Sequence, residues 1–321
     1  MFGVVMGDQT MSGIQNIPIA LFVYNRPEHT KAVIESLLKN DIAKDTSIYI
    51  FSDGPKNFEQ EGLVKRTREY IDTITGFKEI FIEQSQSNLG LAKSLIIGVT
   101  KILKIYEKVI VLEDDIKVSK EFLVYMNNAL NFYQKDIRIG SITGYTVPIN
   151  FPKNYKGDIY LNTRHSSWGW GTYSRVWSNV DWSHEDFHKF IKNKESVESF
   201  SQSGSDLVTM LKKQNNGKLD SWSIIFDYHC WKYNLYSIAP RYNLIENFGF
   251  DKTGTHCNTA PSHYANKLTD YKIVHFIEGI LENKEITNQN YAIYSQSLIK
   301  RFYKRFFREY LSWMKNLYSK H

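Results

Sequence analysis

Val109-Ile110-Val111-Leu112-Glu113-Asp114-Asp115 is a short, mostly β-branched apolar run that ends in three consecutive carboxylates. An uninterrupted apolar run of this length reads as a strand buried on both faces, the kind found inside parallel sheets. Similar runs occupy Ile19–Tyr24, Ser47–Phe51 and Glu79–Glu83 before it, and Ile137–Thr143 after it. Amphipathic patterns fill the intervals. In the first of them Pro27 stands in the opening helical turn, Val33, Leu37 and Leu38 line one face, and Asn40 ends the helix. Strands alternating with helical crossovers predict an α/β half over residues 17–146 built around a mostly parallel sheet.

In open α/β sheets ligands gather beyond the carboxyl ends of the strands, so the residues just after each run carry the most information. Here they are polar: Asn25-Arg26-Pro27, Ser52-Asp53-Gly54, Asn88-Leu89-Gly90 and the acidic triplet. Adjacent carboxylates repel one another and are costly unless a cation sits among them. A divalent ion held by one or two carboxylates and by substrate phosphate oxygens meets that need. The competing expectation is a solvated acidic turn that caps the next helix at Ser119.

Composition narrows the class. Of the 321 residues, 42% are hydrophobic and 23% charged, enough for a sizeable core and inconsistent with a wholly disordered chain. Aromatic residues reach 15%, and rings with polar edges suit sugars, although most must serve the core. Cys230 and Cys257 are too few for a disulfide framework and lack zinc spacing, which fits a reducing cytoplasm. Residues 1–16 read as a flexible leader with neither a signal peptide nor an anchor, and no apolar stretch is long enough to span a membrane. The net charge of +6 resides in the last segment, where Lys300, Arg301, Lys304, Arg305, Arg308, Lys315 and Lys320 face Glu309 alone. A neutral body with one basic tail excludes a general nucleic-acid surface and points to a local anionic partner.

Phe22-Val23-Tyr24-Asn25-Arg26-Pro27, Ser52-Asp53-Gly54, Asn88-Leu89-Gly90-Leu91-Ala92-Lys93-Ser94 and the run ending in Asp115 follow one another as in GT-A glycosyltransferases. The chain resembles bacterial sugar transferases related to the N-acetylglucosaminyltransferase I type, over roughly residues 17 to 260. The resemblance implies a GT-A, Rossmann-like α/β fold: a mixed, mostly parallel sheet flanked by helices, with a C-terminal helical extension. It divides the chain into a nucleotide-sugar-binding half (17–146), an acceptor-binding half of the same catalytic domain (147–262) and a basic, aromatic helical tail (263–321).

The resemblance also implies roles. Asp115 would ligate Mn2+ or Mg2+, Asp114 would face ribose or a metal-bound phosphate, and Glu113 would touch the nucleotide or donor sugar. Asp53 would hydrogen-bond the base, while Asn25, Arg26 and Lys93 would help to hold a nucleotide diphosphate, UDP being the family's usual choice. Trp168-Gly169-Trp170-Gly171-Thr172-Tyr173 matches a glycine-rich aromatic loop beside the donor sugar, with one ring of the tryptophan pair expected in the core and the other exposed. The family places its general base in an acidic pair before a tryptophan; here Leu219-Asp220-Ser221-Trp222 keeps one acid and has Ser beside the Trp. Asp220 is therefore the candidate base, with Asp181 and Asp227 as fallbacks, and Asp220 as a cap of the following helix is the alternative. His256 stands where such enzymes supply a late metal or diphosphate ligand.

The expected activity is an inverting, metal-dependent transfer from a nucleotide-sugar donor to a glycan or lipid-linked acceptor in the synthesis of a bacterial surface polysaccharide such as lipopolysaccharide or capsule. Leu298, Phe302, Phe306, Tyr310, Trp313 and Leu317 recur every three or four residues among basic side chains, so residues 298–321 either lie on an anionic membrane, at the inner face of the plasma membrane, or pack on protein. Two other classes stay open: a sugar-binding scaffold that has lost catalysis, and a sugar nucleotidyltransferase. The latter wants a glycine-rich basic loop after the first strand, and Asn25-Arg26-Pro27 is not one. No GxGxxG or P-loop motif supports a dehydrogenase or an NTPase.

Overall fold

The computed structural model describes residues 4–6, 16–250 and 264–295. The first half runs β1 (Val4–Met6), β2 (Ile19–Val23), α1 (Pro27–Leu38), β3 (Ile48–Ser52), α2 (Phe58–Ile71), β4 (Ile80–Gln84), α3 (Leu91–Leu103), β5 (Lys108–Glu113), β6 (Ile116–Val118), α4 (Phe122–Phe132) and β7 (Ile139–Thr143). The second half adds β8 (Ile159–Asn162), β9 (Trp170–Tyr173), α5 (Ser174–Trp177), α6 (Phe187–Phe190), α7 (Lys194–Ser201), α8 (Ser205–Asn215), α9 (Trp222–Lys232), β10 (Tyr236–Pro240), β11 (Ile245–Asn247), β12 (His275–Ile277) and α10 (Lys284–Tyr294).

Eight strands form one mixed, mostly parallel sheet in the order β4-β3-β2-β5-β9-β7-β10-β8. β4, β3, β2 and β5 are mutually parallel, as are β7 and β10, whereas β9 runs antiparallel between β5 and β7 and β8 closes the far edge antiparallel to β10. The apolar runs form the sheet for the reason their composition suggests: Ile19, Leu21, Ile48, Ile50 and all of Val109–Leu112 are completely buried. α3 packs on β2 and β5, and α4 on β7 and β9. The two expected halves share this one sheet, because β7 of the first lies between β9 and β10 of the second.

Two outlying pairs bear on the expected ends. β6 and β11 make a small antiparallel ribbon directly after the acidic triplet. Val4–Met6, within the segment read as a flexible leader, pairs antiparallel with His275–Ile277. α10 falls in the segment expected to be helical; Asn283 caps it by accepting from the backbone N of Glu285 at 3.0 Å and of Ile286 at 3.2 Å. The basic tail at 298–321, His256 and Cys257 lie outside the described residues. Among the described residues no helix is long and apolar enough to cross a membrane.

Candidate functional site

The chain leaves β2 toward β3 and β4 on one side and returns to β5 on the other, so the order of strands reverses at β2. The rule for open α/β sheets places a ligand crevice beyond the carboxyl ends there. A cavity of about 530 Å³ lies at that position. Its walls include Tyr24, Asn25 and Arg26 after β2, Asp53 and Lys56 after β3, Gly90, Leu91 and Ser94 at the start of α3, Glu113 and Asp114 at the end of β5, and Asp220 from the turn before α9. The amino terminus of α3, with its unpaired backbone N–H groups, thus opens on the same space and favours an anion.

Arg26 faces the acidic triplet. Arg26 Nη1 donates to Asp115 Oδ2 at 3.2 Å and Nη2 donates to Asp114 Oδ1. The turn is not solvated, since Asp114 is only 3% exposed, and the chain continues from it into β6 rather than into a helix that the acids would cap. Burial, reinforced by Asp115 and Asp114, pushes the Glu113 carboxyl up to about 8. Burial likewise raises Asp115, against the opposing pull of Arg26. Burial opposes the charge on Arg26, but Asp114 and Asp115 more than offset it and its pKa is raised.

Whether these residues suit a divalent ion is decided by their spare oxygens. Asp114 Oδ2 and Asp115 Oδ1 are buried and find no hydrogen-bond partner among the described residues. Gly249 closes over the second carboxylate: a Cβ there would stand 2.2 Å from Asp115 Oδ2, so only glycine lets the chain pass this near. Among the described residues no group of three or more His, Cys, Asp or Glu is arranged around a metal. Two hard, unsatisfied oxygens fit a Mg2+ or Mn2+ ion that completes its shell with phosphate oxygens and water, and do not fit an all-protein cage.

These buried acids give the protein a pH signature. Asp227, buried and accepting from the backbone N of His165 at 2.9 Å, is raised by burial to about 7. His165 and His229 are lowered by burial to about 3 and about 4. Below pH 6.5 the unfolded chain takes up protons that the folded histidines refuse, while folded Glu113 and Asp227 hold protons the unfolded chain releases, so the two effects oppose. Above pH 6.5 only the acids remain: the folded state still binds more protons, and stability falls as pH rises toward 8. At roughly 1.4 kcal/mol per group and pH unit, the expected loss without metal is about 2 kcal/mol between pH 6.5 and 8. Urea unfolding in EDTA should show it, and Glu113→Gln should flatten the slope.

Asp53 takes a structural part at the crevice. Its Oδ1 accepts from Gly54 N (2.9 Å) and Leu89 N (2.8 Å), and its Oδ2 from Gly90 N (2.9 Å) and Asn88 Nδ2 (3.1 Å). All the lone-pair directions of an ionised carboxylate are thus taken. Asp53 clamps the Asn88–Gly90 loop that starts α3, and a hydrogen bond to a base would require one of these four to be released.

The other expected residues separate into those at the crevice and those away from it. Asp220 is exposed on the cavity wall, 3.6 Å from where a Cβ on Gly90 would stand, and precedes Ser221, the residue at the cap position of α9. Lys93 is exposed one turn into α3 but does not line the cavity; Ser94 does. Asp227 is buried on α9 and does not line it either. Asp181 is exposed and accepts from Ser183 N at 3.0 Å and Glu185 N at 3.1 Å, and its pKa is lowered chiefly by the Ser183 hydroxyl. Such a turn-forming acid is worth on the order of 1 kcal/mol. Asp181→Ala should cost about that in thermal stability and leave nucleotide affinity within about twofold of wild type.

The expected glycine-rich loop is a strand. Trp170–Tyr173 is β9, in the middle of the sheet. Trp170 is fully buried and stacks on Trp222 at 4.8 Å, so it has no face for a sugar. Gly171 is required by strand packing, since a Cβ there would come within 2.7 Å of Val109 O. Trp168 is half-buried, with its ring edge-on to Tyr145 and Phe250. Because Trp170 pairs with Val111, the Ser166–Gly169 turn leaves the sheet at the carboxyl end of β5. Sequence reasoning missed Lys56, Gln60 and Ser94 as cavity residues; each is a single polar residue on a loop or helix end, and only position after a strand could have flagged Lys56.

No protein-family model matches the chain, and no curated protein matches it. Among solved structures, the mannosyltransferase PcManGT from Pyrobaculum calidifontis in complex with GDP-Man and Mn2+ aligns with 51% of this chain and 46% of its own, at 11% identity and a TM-score of 0.33. TarS from S. aureus aligns with 51% of this chain and 30% of its own, at 15% identity and the same TM-score of 0.33. This chain thus spans less than half of either structure. Likeness this slight transfers nothing about activity, and the chemistry has to be read from the residues of this chain.

Proposed function

We propose that this protein is a glycosyltransferase that moves a sugar from a nucleotide diphosphate to a hydroxyl of an acceptor glycan or lipid-linked oligosaccharide. The observation that supports it most is the pair of buried oxygens on Asp114 and Asp115 that have no partner among the described residues, set beside Arg26 and the start of α3 at the strand-order reversal. A bound Mn2+ or Mg2+ would neutralise charge developing on the leaving diphosphate. Arg26, already held between the two carboxylates, lies where it can donate to phosphate oxygens. Asp220 takes the proton from the acceptor hydroxyl as its oxygen bonds to the anomeric carbon and the bond from that carbon to the diphosphate breaks, which inverts configuration. His256, Asn25 and Trp168 complete the proposed donor and metal contacts.

The preference for UDP, kinship with the N-acetylglucosaminyltransferase I type and a place in bacterial surface-polysaccharide synthesis at the cytoplasmic face rest on the sequence motifs. The tail at 298–321 would bring the enzyme to an anionic membrane carrying its acceptor. Calorimetric titration with UDP, GDP and CMP, each in Mn2+ and in EDTA, tests the reading. Metal-dependent binding of one nucleoside diphosphate is expected. Absence of binding by all three would leave a non-catalytic carbohydrate-binding protein as the better account.

A further inference from the structure

Part of the cavity wall is left unused by the chemistry of the acidic triplet. The Tyr24 hydroxyl accepts from the backbone N of Lys56 at 3.0 Å and donates to Gln60 Oε1. With its Oε1 accepting from Tyr24, the Gln60 amide leaves Nε2 as a donor. Asn88 Nδ2 donates to Asp53 Oδ2 at 3.1 Å and to Gly54 O at 2.9 Å. Both partners only accept, so this amide cannot be flipped, and its Oδ1 remains an acceptor. Gln60 and Asn88 both line the cavity. The two amides therefore present one donor group and one acceptor with no protein partner among the described residues.

Their place in the crevice limits what they can meet. Sheet order puts β3 on one side of β2 and β5 on the other, so the charged end, at Glu113–Asp115, and the amide end, near Asp53, are separated by two strand spacings, roughly 10 Å. The negative charge of Asp53 is absorbed by its four donors. An acceptor oxygen such as Asn88 Oδ1 is unfavourable beside a phosphate, whereas a neutral heterocycle edge with an N–H next to a ring acceptor satisfies both amides.

We propose that Gln60 and Asn88 read the edge of the nucleobase, with Tyr24 and Asp53 as positioning residues that fix the two amides. This rests on the reading of the crevice as a nucleotide-diphosphate site. A donor and an acceptor that both meet the base edge discriminate by roughly tenfold and upward.

The test compares wild type with Gln60→Met, which keeps side-chain length on a helix flank, by titration in Mn2+ with UDP, GDP and inorganic pyrophosphate. The expected result is at least a tenfold weaker affinity for the nucleotide that wild type prefers, with pyrophosphate unchanged within twofold. Equal losses for nucleotide and pyrophosphate, or no loss for the nucleotide, would overturn the proposal. Wild type that binds both nucleotides no better than pyrophosphate overturns base reading alone and leaves the diphosphate site standing. Wild type that binds none of the three removes the nucleotide reading and this proposal together.

Discussion

Asp115→Ala is expected to weaken metal-dependent nucleotide diphosphate binding by at least about 100-fold, an effect of roughly 2.7 kcal/mol or more. The substitution removes one of the two buried carboxylate oxygens that find no hydrogen-bond partner among the described residues and are free to take a cation. It also deletes the acceptor of Arg26 Nη1, 3.2 Å away. These two consequences act in opposite directions and can be separated. In Mn2+, loss of the ligand dominates and affinity collapses. In EDTA, the guanidinium is partly released toward phosphate, so residual affinity should stay level or rise slightly. Calorimetry of the variant in both conditions checks this, and equal affinity of variant and wild type in Mn2+ would remove Asp115 from any metal site.

Trp170→Ala should destabilise the fold by about 4 kcal/mol, the usual cost of emptying a large aromatic site in a core. The indole is completely buried, stacked on Trp222 and packed against Trp177, Phe226 and the edge of His165. Thermal melting should therefore shift down by roughly 6 °C for a chain of this size. A shift below 2 °C would mean that the ring is dispensable to the core, and would reopen the possibility that it serves a ligand.

The parallel part of the sheet was legible because strands buried on both faces read as unbroken apolar runs. Ile19–Val23, Ile48–Ser52 and Lys108–Glu113 fall within a residue of where the pattern puts them. β9 was not legible. Trp170-Gly171-Thr172-Tyr173 is four residues long and holds a glycine, and what makes it a strand is pairing with β5 and β7, which are distant in sequence. The site divides in the same manner. Arg26, Glu113 and Asp114 reach the cavity because they lie at or just beyond strand ends. Gln60 reaches it from the first turn of α2, and Asp53 is consumed by a loop 35 residues or more further on; neither outcome is encoded in local pattern.

The antiparallel placement of β9 bears on how the chain can be made. β5 has a partner on one side only until residues 170–173 arrive, and its backbone on the other flank is an open, apolar edge. During synthesis the first 146 residues therefore cannot close into an independent unit, and they emerge with a template for intermolecular pairing exposed. Any fragment that stops before Trp170 inherits the same bare edge, so dividing this chain near residue 146 would yield aggregates rather than two folded halves.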